Sequence, residues 1–328
     1  MKRLLLCLAF VAAACLNAVA QTNLIATLTH NDKLSAFYGE DALKEAYAAA
    51  QDGDVITLSS GTFNSPDTIQ KAISLKGAGM MTNGQTTPTT IAGYIKIKGQ
   101  QLPKKMSVEG VRFEHQVNTY GSGLTDEITF SKCRINYYLI ADALFVKCIS
   151  CHVNYVGLYD NSSTQAYCTN SILGISSASG LRTFLTIDHC FITYGNPSQL
   201  NARNSIIYNA GSYHDYSLSA SASYANCVGI SSINGNDYFV NHTDGDNQMV
   251  YGYENLFKTY RGSFTDGETF ELTDEAAAKY LGDDDTQVGI YGGSAPFDPV
   301  PSTAIVKKFT VKAKEKDNGN IGVTINVE

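Results

Sequence analysis

Apolar residues recur along the middle of the chain in a short phrase with a period of about 20 residues. In each copy an apolar residue is followed by two further residues, a small residue and, two places on, another apolar residue. The copies place the small residue at Val111, Cys133, Cys148, Ser171, Cys190, Ser205 and Cys227. A repeat of this length cannot bury its own apolar face, so the pattern predicts a solenoid in which successive copies stack.

The alternation of apolar and polar positions within a copy predicts two short strands joined by a two-residue corner. In the copy that spans 187–192, Asp188 and His189 form the corner and Cys190 faces inward. Asn occupies the same corner in other copies, at Asn170, Asn204 and Asn226, and Asn tolerates left-handed backbone. Because stacked coils lie about 4.8 Å apart, we expect the corner amides to bond to one another as a ladder.

The N-terminal part of the chain predicts a capped end for this solenoid. Residues 41–50 form an amphipathic helix, with Ala42, Leu43, Ala46 and Ala50 on one face. The strings D-G-D-x-I-x-L at 52–58, G-T-F at 61–63, I-x-L-x-G-x-G at 73–79 and T-I-x-G at 90–93 follow. In this order they resemble the opening of the pectin-lyase-like superfamily. The resemblance extends over about residues 40–300 and implies an all-β, right-handed parallel β-helix whose open end is covered by the helix.

The C-terminal part divides into two patterns. The string V-G-I-Y-G-G at 288–293, followed by Pro296-Phe297, resembles the ending of uncharacterised secreted bacterial β-helix proteins and implies no activity. Residues 301–328 contain two alternating apolar runs around Asn318-Gly319, which predicts a β-hairpin that is either a cap or a small appended module. The expected organisation is a signal peptide at 1–20, a β-helix domain at 21–300 and this strand pair at 301–328.

The first residues predict the compartment. Lys2-Arg3, an apolar stretch at 4–14 and Ala18-Val19-Ala20 have the order of a secretory signal peptide, so we expect a secreted protein of the periplasm or cell surface. A lipoprotein anchored at Cys15 is the less favoured alternative. No other segment is long and apolar enough to span a membrane. The net charge is −7, and we expect no nucleic-acid partner. The oligomeric state is left open.

Six cysteines follow the predicted leader, and four of them share the small inward position of the repeat. An oxidising compartment favours disulfides, yet buried cysteine also behaves as a small apolar residue. We expect free, structural thiols, with a Cys151–Cys168 bridge as the main alternative. Cys133 and Cys148 are expected on adjacent coils.

The strings that carry chemistry in related enzymes are incomplete in this chain. Residues 187–190 are similar to an I-D-H-C string of one pectate lyase family, but Thr186 stands where that family has Trp, and its Arg motif is absent. We interpret His189 as a corner residue. The chain lacks the paired Asp and R-I-K strings of polygalacturonase-like hydrolases, and it has no Trp for the motif of pectin methylesterases.

A basic group is the candidate catalytic set. Arg112 and Arg134 occupy equivalent outward positions on neighbouring coils, and Lys132 and Lys147 are expected at the corner beside them. Such cations would neutralise the carboxylate of a uronate and ease removal of the adjacent proton, with a Tyr or a His such as His152 as the base. A solvated face in which Glu109 and Glu114 neutralise these cations is the alternative.

An aromatic group is the candidate ligand site. His115, Tyr137, His152 and Tyr194 each follow the aligned small position by four residues, which predicts that they stack near the end of one strand. Tyr rings offer flat faces and hydroxyl groups to sugars. His214 lies in a long excursion at 210–224, where loops form clefts. We expect no metal site and no cofactor, although Ca²⁺ at 244–247 is conceivable because of its acidic residues.

These patterns leave three functions open. The favoured one is a secreted β-helix protein that binds carbohydrate, because no catalytic set is complete. The alternatives are a lyase or other enzyme acting on acidic glycan, and a structural surface protein or adhesin. Whether the protein is an enzyme, and which glycan it meets, are not fixed by the sequence.

Overall fold

Short strands of period two close into successive coils of a parallel β-helix of about eight turns. The computed structural model describes residues 24–82, 87–142, 144–158, 164–175, 184–195, 200–208, 221–231, 235, 237–259, 268–302, 306–311 and 323–327. The predicted all-β parallel β-helix with an N-terminal capping helix and a C-terminal hairpin is confirmed.

Two long sheets form the walls of the coil, and we call them sheet A and sheet B. Sheet A contains β1 (Ile25–His30), β2 (Lys33–Tyr38), β3 (Val55–Leu58), β6 (Ser74–Lys76), β9 (Gln100–Gln101), β10 (Ser107–Glu109), β13 (Asp126–Ser131), β15 (Phe145–Ile149), β17 (Gln165–Thr169), β19 (Phe184–Asp188), β21 (Leu200–Arg203) and β23 (Ser223–Ala225). Sheet B contains β4 (Gly61–Asn64), β5 (Thr68–Ile69), β7 (Thr89–Ala92), β8 (Ile95–Lys98), β11 (Val111–Phe113), β12 (Val117–Tyr120), β14 (Arg134–Asp142), β16 (His152–Leu158), β18 (Ile172–Ile175), β20 (Phe191–Tyr194), β22 (Ile206–Tyr208), β24 (Val228–Ser231) and β25 (Gln248–Tyr251).

The remaining elements lie at the ends of the coil. Helix α1 (Ala42–Ala49) buries Ala42, Leu43 and Ala46 against the first strands, as its apolar face predicts. A 3-10 turn (Tyr253–Asn255) and helix α2 (Asp274–Lys279) follow the last coil. Strands β26 (Val306–Val311) and β27 (Val323–Val327) pair antiparallel. The domain boundaries at 20/21 and 300/301 remain predictions.

The inward residues of the coil form continuous buried columns. In sheet A, register places Leu75, Val108, Phe130, Cys148, Cys168, Ile187, Ala202 and Tyr224 one above another, and all are buried. Burial of such side chains is the main stabilising contribution, at roughly 25 cal/mol per Å² of apolar surface.

The third copy of the repeat is displaced by three residues from its predicted position. Cys148 pairs in register with Phe130 and Cys168, so it belongs to the sheet A column and not to the small position. The small position of that coil is Cys151, and its corner is Ser150, whose φ is 51°. Cys133 and Cys148 are therefore not equivalent residues of adjacent coils, and Lys147 lies within a strand instead of at a corner.

Hydrogen bonding, as well as limited space, favours Cys or Ser at the small inward position of each coil. Its Cys or Ser side chain donates to the carbonyl oxygen two residues earlier, from Cys133 to Ser131 at 3.2 Å and from Ser171 to Thr169 at 2.7 Å, for example. The same bond is made by Cys151, Cys190, Ser205 and Cys227. A buried hydroxyl or thiol is thereby satisfied in each of these coils.

The corners do not form the predicted amide ladder. Corner residues have left-handed backbone at Gly110, Lys132, Asn170, His189, Asn204 and Asn226, as expected, and at Ser150 in the displaced third copy. Apart from the bond from Asn204 to Asp188, most of the hydrogen bonds and ion pairs of their side chains are with residues 282–302, which we call the return segment. This segment runs back along the coil, from Asn204 at Asp283 to Glu109 at Ser302.

The contacts of the return segment explain the V-G-I-Y-G-G string. The Asn170 amide donates to the carbonyl oxygens of Ile290 at 3.0 Å and Gly292 at 2.8 Å. The backbone N–H of Gly289 donates to the Asn204 carbonyl oxygen at 2.8 Å. A Cβ on Gly292 would collide with the His189 ring, so glycine is required where the segment crosses that corner.

A second apolar cluster lies outside the coil. The outward residues Ile172, Phe191, Ile206 and Val228 of sheet B are covered by Leu256, Phe257, Phe270, Leu272, Val288 and Ile290. The Phe191 ring lies 5.3 Å from the rings of Phe257 and Phe270, by centroid distance. The last coils are therefore buried on the outer face of sheet B, while the earlier coils of that face are left for other contacts.

Candidate functional site

The outer face of sheet B carries the predicted basic residues in one column. Register pairs Thr90 with Arg112, Arg112 with Arg134, and Arg134 with His152, and the next residue in the column is Ile172 of the covered cluster. We call Arg112, Arg134 and His152 the basic column. The sequence predicts the Arg112–Arg134 pair correctly and names His152 as a candidate base beside it. It also places His152 in the aromatic row, because that prediction rests on the displaced alignment at Cys148.

Burial controls the charge of the basic column. It lowers the pKa of Arg134 to about 10, with a smaller contribution from the nearby charge of Arg112. Burial, followed by repulsion from Arg134 and Arg112, lowers the pKa of His152 to about 3. The imidazole of His152 is therefore neutral at physiological pH. The Arg134 Nε donates to the Asn136 Oδ1 at 2.9 Å, which fixes the guanidinium along the face.

The lysines predicted beside the arginines have other partners. The Lys132 Nζ forms an ion pair with the Asp298 carboxylate at 2.6 Å and also donates to the Val300 carbonyl oxygen, so it holds the return segment. The Lys147 Nζ lies 3.0 Å from the Glu127 carboxylate within sheet A. Glu109 accepts hydrogen bonds from the backbone N–H and hydroxyl of Ser302 at 2.7 and 2.8 Å. The four cations do not form one group.

A second column on the same face is aromatic. Register aligns Tyr94, Gln116, Tyr138, Tyr155, Gly174 and Tyr194 on successive coils. The Tyr94 ring stacks on His115 with centroids 5.4 Å apart, and Tyr138 stacks on Tyr155 at 5.0 Å. Tyr137 meets Tyr138 edge to face at 4.8 Å. We call Tyr94, His115, Tyr137, Tyr138, Tyr155 and Tyr194 the aromatic column.

A glycine allows the aromatic column to continue. Tyr155 and Tyr194 belong to coils two apart, about 9.6 Å by strand spacing, yet their ring centroids are 6.3 Å apart. The residue between them is Gly174, where an added Cβ would collide with the carbonyl oxygen of Asn154. The two rings lean toward each other over the coil that has no side chain there.

The aromatic column is open to solvent at several rings. Tyr94 is 66% exposed, Tyr137 48% and Tyr194 43%. Exposed large apolar side chains that are contiguous, in contrast to scattered ones, mark interaction surfaces. The six coils span about 24 Å at about 4.8 Å per coil, so the face suits an extended ligand.

Sequence reasoning identifies part of this column. His115, Tyr137 and Tyr194 lie where the repeat predicts, but Tyr94, Tyr138 and Tyr155 are missed. Tyr94 and Tyr138 follow the small position of their coils by five residues instead of four, and a bulge between Ile135 and Tyr138 shifts the register there. Tyr155 follows Cys151 by four residues, and it is missed because the prediction places Cys148 at the small position. Strand alternation from the buried Ile95, Leu139 and Val156 could have found them. His214 lies outside the described residues.

The I-D-H-C string forms a structural network. The His189 Nδ1 lies 3.1 Å from the Asp188 carboxylate, and its Nε2 lies 3.2 Å from the Thr286 hydroxyl. Burial acts to raise the pKa of Asp188, but hydrogen bonds from His189 and Arg203 outweigh it and lower this pKa to about 2. The His189 side chain is buried beneath Gly292 and Gly293. Asp283 and Asp284 contact the same network from an exposed turn.

The described parts of the chain contain neither a metal-binding cluster nor a membrane-spanning helix. No group of three or more His, Cys, Asp or Glu side chains there could hold a metal ion. Within the same residues, no helix has the length and apolar character needed to cross a bilayer.

Comparisons of the chain with known protein families, with curated proteins and with solved structures find no match.

Proposed function

We propose that the protein is a secreted β-helix protein that binds a carbohydrate polymer along the aromatic column of sheet B. The observation that supports this proposal most directly is the set of rings distributed over six coils in two contacting groups, Tyr94 with His115 and Tyr137 with Tyr138, Tyr155 and Tyr194. Tyr94, Tyr137 and Tyr194 among them are exposed. Sugar rings bind to aromatic faces through their C–H groups, and the Tyr hydroxyl adds a hydrogen-bonding tip. The pectin-lyase-like resemblance of the N-terminal strings and the leader-like first 20 residues agree with an extracellular glycan ligand.

A lyase is less well supported than a binding protein. The proposed set of Arg112, Arg134 and Lys132 loses Lys132, whose ammonium group binds Asp298 and Val300. His152 is a weak base, because its pKa is about 3 and a general base works best with a pKa near the operating pH. We therefore propose that the protein binds carbohydrate without cleaving it.

Affinity electrophoresis of the mature protein through gels containing neutral or acidic polysaccharides tests the proposal. We expect retardation by at least one polymer, weakened several fold by Tyr94→Ala or Tyr194→Ala and lost in the double variant. Tyr38→Ala is the matched control, since Tyr38 is also 66% exposed but lies on the edge strand β2.

Two outcomes would reject the proposal. Equal losses in the Tyr38 and Tyr94 variants would mean that the column is not the binding surface. Absence of retardation across the panel would favour the structural or adhesive alternative. Ultraviolet absorbance from unsaturated sugar products in the same mixtures would instead establish a lyase.

A further inference from the structure

A cleft of about 400 Å³ lies at the far end of β8 from the aromatic column. It is lined by Lys98, Gly99, Gln100, Gln101, Leu102, Pro103, Lys104, Ser122 and Asp126. Strand β9 forms one wall, where Gln100 and Gln101 pair with the start of β13. The lining contains amides, ammonium groups, a hydroxyl and a carboxylate, but no aromatic ring. We call it the Asp126 cleft.

The wall of the cleft contains a buried carboxylate with a vacant acceptor. Asp126 is 2% exposed, and its Oδ2 accepts the backbone N–H of Ser122 at 2.6 Å. Its Oδ1 is buried and has no hydrogen-bond partner among the described residues. Buried polar atoms are normally satisfied, so an acceptor left without a donor in a cleft wall indicates a missing ligand group.

The two lysines of the cleft differ in whether their ammonium groups form ion pairs. The Lys104 Nζ forms an ion pair with the Asp52 carboxylate at 2.7 Å, which neutralises it. Lys98 is half-buried, and no ion pair of its ammonium group is found within the described part of the chain. The cleft therefore offers one ammonium group that forms no ion pair among the described residues and one carboxylate oxygen without a donor, and a ligand that carries both an anionic group and a hydroxyl donor matches these two groups.

Strand β8 connects this cleft with the aromatic column. Tyr94 precedes the strand, Lys96 and Lys98 face outward along it, and Ile95 and Ile97 are buried between them. Tyr94 and Lys98 are four residues apart, about 13 Å at about 3.3 Å per residue. A polymer bound to Tyr94 could place one of its units in the cleft.

We propose that the Asp126 cleft binds one anionic sugar unit, with its carboxylate or sulfate on the Lys98 ammonium group and a hydroxyl donated to the Asp126 Oδ1. This inference rests on the proposed carbohydrate function and deepens it, because it names an acidic glycan as the ligand class. The amide side chains of Gln100 and Gln101 supply further hydrogen bonds to ring hydroxyls.

Ligand-observed NMR titration of the mature protein with single sugars tests the cleft. We expect binding of glucuronate or galacturonate, or of a monosaccharide sulfate, and no binding of glucose or acetate. The carboxylated and sulfated sugars distinguish the two sources of the anionic group. Lys98→Met and Asp126→Asn should each raise the dissociation constant at least tenfold. Lys96→Met, which removes an exposed neighbour on the same strand, should leave it unchanged.

The outcomes separate this inference from the proposed function. Tyr94→Ala and Tyr194→Ala should leave the binding of single acidic sugars intact, since these rings lie outside the cleft. Equal affinity for glucose, acetate and uronate would overturn the cleft inference, as would an unchanged affinity in both the Lys98 and Asp126 variants. Retardation by neutral polymers without any uronate binding would keep the aromatic column as a binding surface and reject the cleft.

Discussion

At the scale of single residues, Gly174 decides whether the rings of Tyr155 and Tyr194 meet across the coil between them. An added Cβ there would meet the Asn154 carbonyl oxygen, which belongs to backbone and cannot move aside easily. We predict that Gly174→Ala lowers the free energy of unfolding by about 1–3 kcal/mol, the usual cost of overpacking. Urea unfolding followed by circular dichroism measures it.

A glycine on the neighbouring coil provides the matched control. Gly157 lies in β16, and an added Cβ would meet its nearest heavy atom at 3.7 Å, an ordinary contact. Gly157→Ala should therefore be neutral or slightly stabilising, because alanine restricts the unfolded chain. Equal destabilisation by both substitutions would contradict the steric account of Gly174.

His152 gives the basic column a pH dependence with a definite sign. Burial and the two arginines lower its pKa to about 3, whereas the unfolded chain takes up this proton near pH 6.5. Between these values the unfolded state binds more protons, so stability falls as the pH falls, by at most about 1.4 kcal/mol per pH unit from this group. We predict that His152→Gln removes this slope between pH 6.5 and 3.

Urea unfolding at several pH values measures the two slopes. His115→Gln is the control, because His115 is exposed and stacks on Tyr94 at the edge of the same face. The prediction fails if the wild type and the His152 variant lose stability in parallel as the pH falls, since His152 would then titrate alike in both states.

The register of the third copy shows what residue patterns can and cannot fix. The corner residues at 170, 189, 204 and 226 are predictable, because Asn and His in a regular phrase favour left-handed backbone. In the third copy Ser150 takes that conformation, and Cys148 and Cys151 both fit an inward position. Only hydrogen-bonded register separates the two thiols, so the sequence could not decide between them.

At the scale of elements, the return segment is held by individual corners, and Asn204 makes the densest set of contacts. Its Nδ2 donates to Asp283 Oδ1 at 2.7 Å and Asp188 Oδ1 at 3.0 Å, and its Oδ1 accepts from the Asp283 N–H at 3.1 Å. We predict that Asn204→Ala lowers the free energy of unfolding by about 2–4 kcal/mol, from lost buried hydrogen bonds and left-handed backbone.

Asn204→Gly separates the two causes, because glycine adopts the φ of 52° without strain but makes no side-chain hydrogen bonds. It should cost less than Asn204→Ala by about 1–2 kcal/mol. Limited proteolysis should cut both variants within 282–302 faster than the wild type. A wild-type cleavage rate in both would mean that Asn204 does not hold the segment.

The return segment is also where sequence analysis reached its limit. The V-G-I-Y-G-G string is visible as a pattern, but its partners lie about 80–120 residues earlier in the chain. Neither alternation nor corner chemistry specifies which segment covers a corner, so the repeat pattern predicts only bonds between neighbouring corner amides. The same limit applies to Lys132, whose partner Asp298 is 166 residues away.

At the scale of the whole molecule, the sheet B face is divided along the solenoid axis. The cover formed by residues 253–257 and 270–297 ends over Ile172, so the basic column begins where the apolar cluster stops. The Asp126 cleft lies on the earlier coils, whereas the aromatic column extends beside the cover as far as Tyr194 in β20, the strand that contains Phe191. A parallel β-helix builds such a face automatically, because each coil repeats the same outward positions and the ligand surface grows with the number of coils.

The six described cysteines test how tightly the whole solenoid is closed. All are free and buried, and burial raises the pKa of Cys227 to about 12 and that of Cys190 above its ordinary value. Because only the thiolate reacts, and only when exposed, we predict that a disulfide reagent labels none of them in the native protein and all of them after denaturation. Leu34→Cys is the positive control, since Leu34 is 69% exposed on β2.

Mass spectrometry of labelled peptides identifies any thiol that reacts. Slow labelling of all six at one common rate would measure global unfolding, because a coil cannot expose its inward column without losing the strands on either side. Fast labelling of Cys227 alone would show that the last coil opens by itself, and it would contradict a solenoid closed along its whole length.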